Sequence, residues 1–154
     1  REYLGRYNIK RYSQIYQQDL SQSTYSEILD AILYLVFPNF APWGGFRPNV
    51  TYRFLPYNDS HEECTMEIFV MMRYPPEQPR PKDCQMIFVP AEQSFAKTDG
   101  ISDGLATVFD QDFSNLPMVH KGLRSLASGR IELGNYQEVR IRHFHQTLDK
   151  YLDL

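Results

Sequence analysis

The chain keeps two different hydrophobic periods in two different places. Residues 50–57, "VTYRFLPY", alternate: Val50, Tyr52 and Phe54 on one face, Thr51 and Arg53 on the other. Residues 64–74, "CTMEIFVMMRY", alternate again, with Cys64, Met66, Ile68, Val70 and Met72 together and Thr65, Glu67 and Arg73 opposite. The polar stretch "NDSHEE" separates the two runs, which predicts an antiparallel hairpin. From about residue 103 to 126 the spacing becomes helical, with Leu105, the pair Val108 and Phe109, Leu116, Val119, Leu123 and Leu126 at steps of three and four except between Phe109 and Leu116. A second helical pattern starts at Asn135, where Glu138 has capping-box spacing, and puts Ile141, Phe144, Leu148 and Tyr151 on one stripe. That stripe is expected to lie on the sheet face containing Met66, Ile68 and Val70.

The rest of the chain is shorter and more interrupted. Residues 1–23 are polar and tyrosine-rich with no clean period, and read as a lead-in arm. Thr24 and Glu27 predict a capped short helix over "YSEILDA". "ILYLVFP" reads as a strand stopped by Pro38, and "FAPWGGFRPN" as a Gly/Pro-rich loop. "PPEQPRPKD" is a proline-rich loop, and "CQMIFVP" reads as a further strand. Pro117 is expected to kink or split the first long helix. Strands come first and helices after, which predicts an α+β class with helices against an antiparallel sheet.

One residue disturbs the helical pattern. Between Phe109 and Leu116 the stripe has a gap, and the residue that fills it is Asp112. Asp110 falls about 200° further round the helix and is expected to be solvated. A carboxylate buried without a partner costs several kcal/mol, so Asp112 must be neutralised, paired or bound to a cation, or exposed by a break at the kink. His143 and His145 are two apart and diverge on a helix. His120 is eight residues past Asp112, about 12 Å along the axis, and His61 falls in a predicted turn. No two histidines have the spacing that puts both on one helix face, so these residues alone do not make a complete metal site.

Composition narrows the function classes. At 154 residues the chain suits one domain with a real core, and a net charge of −3 with no basic run argues against nucleic acid. Eleven Tyr and ten Phe suit a sheet-rich fold or an aromatic-walled pocket. No segment approaches the roughly 20 apolar residues of a membrane span, so no membrane is expected. Two cysteines, Cys64 and Cys84, do not make a disulfide framework and point to a reducing, cytoplasmic setting. There is no C-x-H or C-x-x-H pair for an iron–sulfur cluster, no Gly-rich phosphate loop, and no recognisable nucleophile arrangement.

Four segments carry a resemblance. "FPNFAPWGG" followed by "VTYRFLPYNDSHEECTMEIFVM" resembles the strand block of Rieske non-haem iron ring-hydroxylating oxygenase large (alpha) subunits. "VFDQDFSNLPMVHKGLRS" is similar to the helix that bears the aspartate ligand of their mononuclear iron, and "YQEVRIRHFHQTLDKYL" to their closing helix. Together these cover roughly residues 32–154, and their order adds to the specificity of each.

The resemblance implies a C-terminal catalytic domain of helix-grip (START/Bet v1-like) type, an antiparallel sheet with helices packed on it. It implies a mononuclear Fe(II) held by two histidines and an aspartate, with open positions for O₂. By motif the aspartate is Asp112, whereas His120 stands where the family often has Gln and inherits no role. Val108, one turn earlier on the same face, is a candidate pocket wall, with Phe109, Phe37 and Trp43 as further candidates for substrate binding. The [2Fe–2S] Rieske domain and the two iron-binding histidines belong upstream in the family, so the chain is expected to be a single-domain fragment, residues 1–154, with a degenerate relative that has lost catalysis as the alternative. The intact subunit would take electrons from a reductase or ferredoxin, hydroxylate an aromatic or other apolar substrate, and assemble as a homotrimer. The competing readings are a metal-free helix-grip module binding a hydrophobic ligand, with Asp112 as a salt-bridged acid, and a structural or oligomer-forming domain.

Overall fold

The computed structural model describes residues 1–46 and 49–153, and the chain divides into two compact units, Arg1–Asp83 and Cys84–Leu154. The class is α+β, as expected, and an antiparallel four-stranded sheet with helices is consistent with a helix-grip-like fold.

The first unit contains α1 (Glu2–Tyr16), α2 (Tyr25–Leu29), β1 (Ile32–Leu33), β2 (Phe40–Gly44), β3 (Val50–Tyr57) and β4 (Ser60–Val70), with the sheet in the order β1-β2-β3-β4. The β3–β4 hairpin forms as the alternation predicts. Its register pairs Val50 with Val70, Tyr52 with Ile68 and Phe54 with Met66, so the two apolar faces coincide. On the opposite face Arg53 is paired across the strands with Glu67, and their side chains form an ion pair at 2.5 Å. The turn is shorter than expected. Asn58 takes a left-handed conformation (φ 52°), which asparagine tolerates, and β4 begins at Ser60 after a bulge at Pro56/Tyr57. His61 therefore lies in a strand.

Two sequence expectations exchange places around Pro38. The predicted strand 32–38 reduces to Ile32–Leu33, and part of the predicted loop 40–49 becomes β2. Residues 47 and 48 of that loop lie outside the described residues. The reason is local pairing. Phe40–Pro42 find partners Arg53–Thr51 on β3, while Val36 turns back onto Phe40. Beyond Leu33 the Tyr34 N–H donates to the Pro42 carbonyl at 3.0 Å, but Pro42 has no N–H to return. The β1–β2 ladder stops there.

Residues 1–23 are not an irregular arm: residues 2–16 form a helix. The inner stripe of α1 is Gly5, Ile9, Tyr12 and Tyr16. Glycine and tyrosine score weakly as hydrophobes, which hid the period. Tyr12, Leu20, Ile28 and Phe46 make the buried cluster, with Tyr12 and Phe46 stacked at 5.8 Å and the Arg73 guanidinium 4.4 Å from the Phe46 ring centre. Gly5 is required by close approach, since a Cβ there would run into the Tyr25 ring. Gly45, at φ +86°, lets the Phe46 N–H reach the Glu27 carbonyl at 2.8 Å. The capping box on α2 is present as predicted, with Thr24 Oγ1 accepting from Glu27 N–H and Glu27 accepting from Thr24 N–H.

The second unit contains a 3-10 turn (Phe95–Lys97), α3 (Asp103–Arg124) and α4 (Val139–Tyr151). Pro117 does not split α3, which runs 22 residues through it. The proline removes one N–H, and the bonds on either side carry the helix. Residues 84–90 form no strand: a strand exists only where a neighbour pairs with it, and Met86 is 89% exposed. The expected capping box at Asn135 is replaced. α4 starts at Val139, and the Arg142 guanidinium donates to the carbonyls of Leu133, Gly134 and Asn135 at 3.1, 2.7 and 2.5 Å. No residue of α4 is fully buried: Ile141 is 47% exposed, and Phe144 and Leu148 are half-buried. Amphipathic spacing shows which side of a helix is apolar and does not by itself provide a surface to cover it.

In the first unit, Ile28→Ala should cost roughly 2–5 kcal/mol through lost burial and a residual cavity. Thr24→Ala should cost about 1 kcal/mol through the lost cap. The Thr24 N–H and then its hydroxyl hold the Glu27 carboxyl below its ordinary range. A lowered folded-state value means that this contribution is present above the ordinary carboxylate range and is lost as pH falls through it. Denaturant titrations from neutral pH down to about pH 3 should therefore show the Glu27→Gln protein losing less stability on acidification than the parent.

Candidate functional site

Helix α3 has two apolar faces, and only one is covered. Ala106 and Phe109 are each 2% exposed, and Phe113 is half-buried beside them. Phe95 lies against this face, edge-on to Phe109 at 5.3 Å and to Phe113 at 5.1 Å. The other face carries Val108, Leu116, Val119 and Leu123, with Val108 48% and Leu116 53% exposed. Asp112 lies one turn after Val108 and one turn before Leu116, so it sits in the middle of this open apolar face.

Of the two acids, Asp112 takes one of the states expected for it and Asp110 does not. Asp112 is exposed and makes no hydrogen bond or ion pair among the described residues. Asp110, expected to be solvated, is the engaged one. Its Oδ2 accepts from the Ser94 hydroxyl at 2.6 Å and its Oδ1 from the Phe95 N–H at 2.8 Å. These bonds, the Ser94 hydroxyl first, hold its carboxyl below the ordinary carboxylate range. Ser94 in turn accepts from the Ala96 N–H at 3.1 Å and caps the 3-10 turn. Sequence spacing gave no sign of this tie, because residues 94 and 110 meet only after α3 has folded back on the turn. The one local signal was a serine in capping position before Phe95.

The remaining candidates fall in different places. Phe109 is core of the second unit. Phe37 is half-buried in the turn between Val36 and Phe40 of the first unit. Trp43, on β2 of the first unit, is half-buried, and its Nε1–H is buried with no hydrogen-bond partner among the described residues. The structure thus brings together Val108 and Asp112 on one face of one helix.

A non-haem iron needs several oxygen or nitrogen donors around one point. Asp112 could fill one such position, being an exposed acid with no partner among the described residues. The other donors are not present: among the described residues no three His, Cys, Asp or Glu gather as a metal site. His120 is on α3 two turns beyond Asp112, and His143 and His145 are exposed on α4. Cys64 and Cys84 are free and exposed. No helix among the described residues is long and apolar enough to cross a membrane.

Compared with known proteins, residues 9–154 match the family model described as ring hydroxylating alpha subunit (catalytic domain). No curated protein and no solved structure matches the chain.

One carboxylate plus water is a weak iron site, so the isolated chain should bind no stoichiometric iron after anaerobic loading and desalting, as read by metal analysis. Asp112→Asn in the isolated chain should change stability by less than about 0.5 kcal/mol in a denaturant titration, because an exposed side chain without partners is replaced by one of the same shape.

Proposed function

Because the chain belongs to the ring-hydroxylating alpha-subunit catalytic-domain family, we propose that it is part of the catalytic domain of a Rieske-type oxygenase in which Asp112 is a ligand of a mononuclear non-haem iron. The observation that carries the proposal is the placement of Asp112: an acid free of internal partners, in the centre of an apolar helix face, within the motif that resembles the iron-bearing helix. An apolar surface next to a free carboxylate suits a site that holds a cation and an apolar substrate together. The family model runs across both compact units, which supports reading residues 1–154 as one catalytic-domain segment.

On this reading the other iron ligands, two histidines, come from protein outside the described residues, as does the [2Fe–2S] cluster. The iron supplies O₂ activation when bound, with electrons from a reductase or ferredoxin. The chain's own residues supply the carboxylate and shape the pocket. Val108 faces the same side as Asp112 and limits the room for substrate. Phe109 supports the helix from its buried side, and Phe37 and Trp43 are candidate contacts for an apolar or aromatic substrate. The two free cysteines suit a reducing cytoplasm, and the whole subunit is proposed to assemble as a homotrimer.

In the intact subunit Asp112→Asn should abolish turnover and lower iron content, both measured per protomer. Wild-type iron and turnover in that variant would remove Asp112 from the iron site, whereas an intact parent subunit without iron or turnover would leave the metal-free ligand-binding reading in its place. Val108→Phe should alter product distribution or substrate preference while the melting temperature stays near that of the parent. Unchanged kinetics and regiochemistry across several aromatic substrates would remove Val108 from the pocket.

A further inference from the structure

We propose that Asp110 is a positioning residue for this site: by tying Ser94 and Phe95 to α3 it sets the roll of the helix, and so the side on which Asp112 and Val108 are presented. The inference rests on the reading of Asp112 given above.

The physical problem is that α3 offers two apolar faces to one aromatic partner. Ala106, Phe109 and Phe113 make one, and Val108, Leu116, Val119 and Leu123 the other. Hydrophobic contact is non-directional, so apolar area alone would not fix which face receives Phe95. Hydrogen bonds are directional. Both oxygens of Asp110 accept from a single short segment, from the Ser94 hydroxyl at 2.6 Å and the Phe95 N–H at 2.8 Å. This two-point tie brings the Phe109 side of the helix to Phe95. Asp112 lies about 200° from Asp110 around the helix, so drawing Asp110 inward turns Asp112 outward. The segment is itself held: Ser94 caps the 3-10 turn through Ala96 N–H, and Phe95 is buried between the two α3 phenylalanines. The acid without a partner among the described residues is thus aimed by the acid two residues before it, which accepts two hydrogen bonds.

The test uses the intact subunit, with kcat, KM, iron content and melting temperature measured per folded protomer for Asp110→Ala, Asp110→Asn, Ser94→Ala and Asp112→Asn. Asp110→Ala should lower kcat by about 10–100-fold with KM little changed, the size expected when an outer support of a metal ligand is lost. Asp110→Asn should restore most of that loss, because its amide can accept from the Phe95 N–H and donate to the Ser94 hydroxyl. Ser94→Ala should move kcat in the same direction as Asp110→Ala, by less. A purely structural role predicts instead a lower melting temperature with kcat per folded protomer unchanged, and that result overturns the proposal. So does an Asp110→Asn protein as impaired as Asp110→Ala. If Asp110→Ala does not fold, wild-type kcat and iron in Ser94→Ala overturn it instead. The parallel Asp112→Asn separates the two ideas. If that variant loses iron while Asp110→Ala behaves as wild type, only the positioning role fails. If Asp112→Asn is silent, the site reading fails and the positioning role falls with it.

Discussion

The contact of Phe95 with Phe109 and Phe113 decides what the second unit can do. A helix with apolar residues on two sides must leave one of them to solvent or to a partner, and Phe95 covers the side bearing Phe109. Asp110 makes that choice directional by accepting two hydrogen bonds from the same segment. Everything offered by α3 at its open face follows: a free carboxylate at Asp112, a small branched side chain at Val108 one turn away, and aliphatic residues continuing beyond. An exposed apolar helix face is costly to leave uncovered in water, and large patches of this kind mark surfaces that receive something.

The first unit is held in a different way. Its sheet is fixed by register, since alternation on β3 and β4 allows only pairings that keep both apolar faces on one side, and a slip of one residue would bring Arg53 and Glu67 to the apolar side. The helices α1 and α2 pack through rings and small residues, with Tyr12 stacked on Phe46 and Gly5 giving way to Tyr25. Trp43 is the loose end there. Its indole N–H is buried without a partner among the described residues, and such a donor carries a penalty until something accepts from it.

Family membership and geometry address different parts of the function. The match over residues 9–154 places the chain among ring-hydroxylating alpha-subunit catalytic domains. The geometry adds that Asp112 is free on an apolar helix face, that the histidines lie on β4, α3 and α4, and that among the described residues no three His, Cys, Asp or Glu gather as a metal site. An iron held through Asp112 would be shared between these residues and others.

The sequence by itself determined the elements whose signal is local. The β3–β4 hairpin, the capped helix α2 and the helical run containing Asp112 are all written in residues within one or two turns or one hairpin of each other, where period and capping chemistry act directly. It also marked Asp112 as out of place in an apolar stripe, since that is a matter of spacing along one helix. Tertiary structure decided the rest. A strand needs a partner, so 40–44 became one and 84–90 did not. A helix lined with Gly and Tyr needs a neighbour before its period has meaning, so α1 was invisible as sequence. Most of all, periodicity shows that α3 has apolar sides without saying which will be buried. The burial of Phe109, the exposure of Asp112 and the engagement of Asp110 all depend on Ser94 and Phe95. Those residues lie more than a dozen positions away in the chain and reach the helix only through directional bonds that spacing cannot encode.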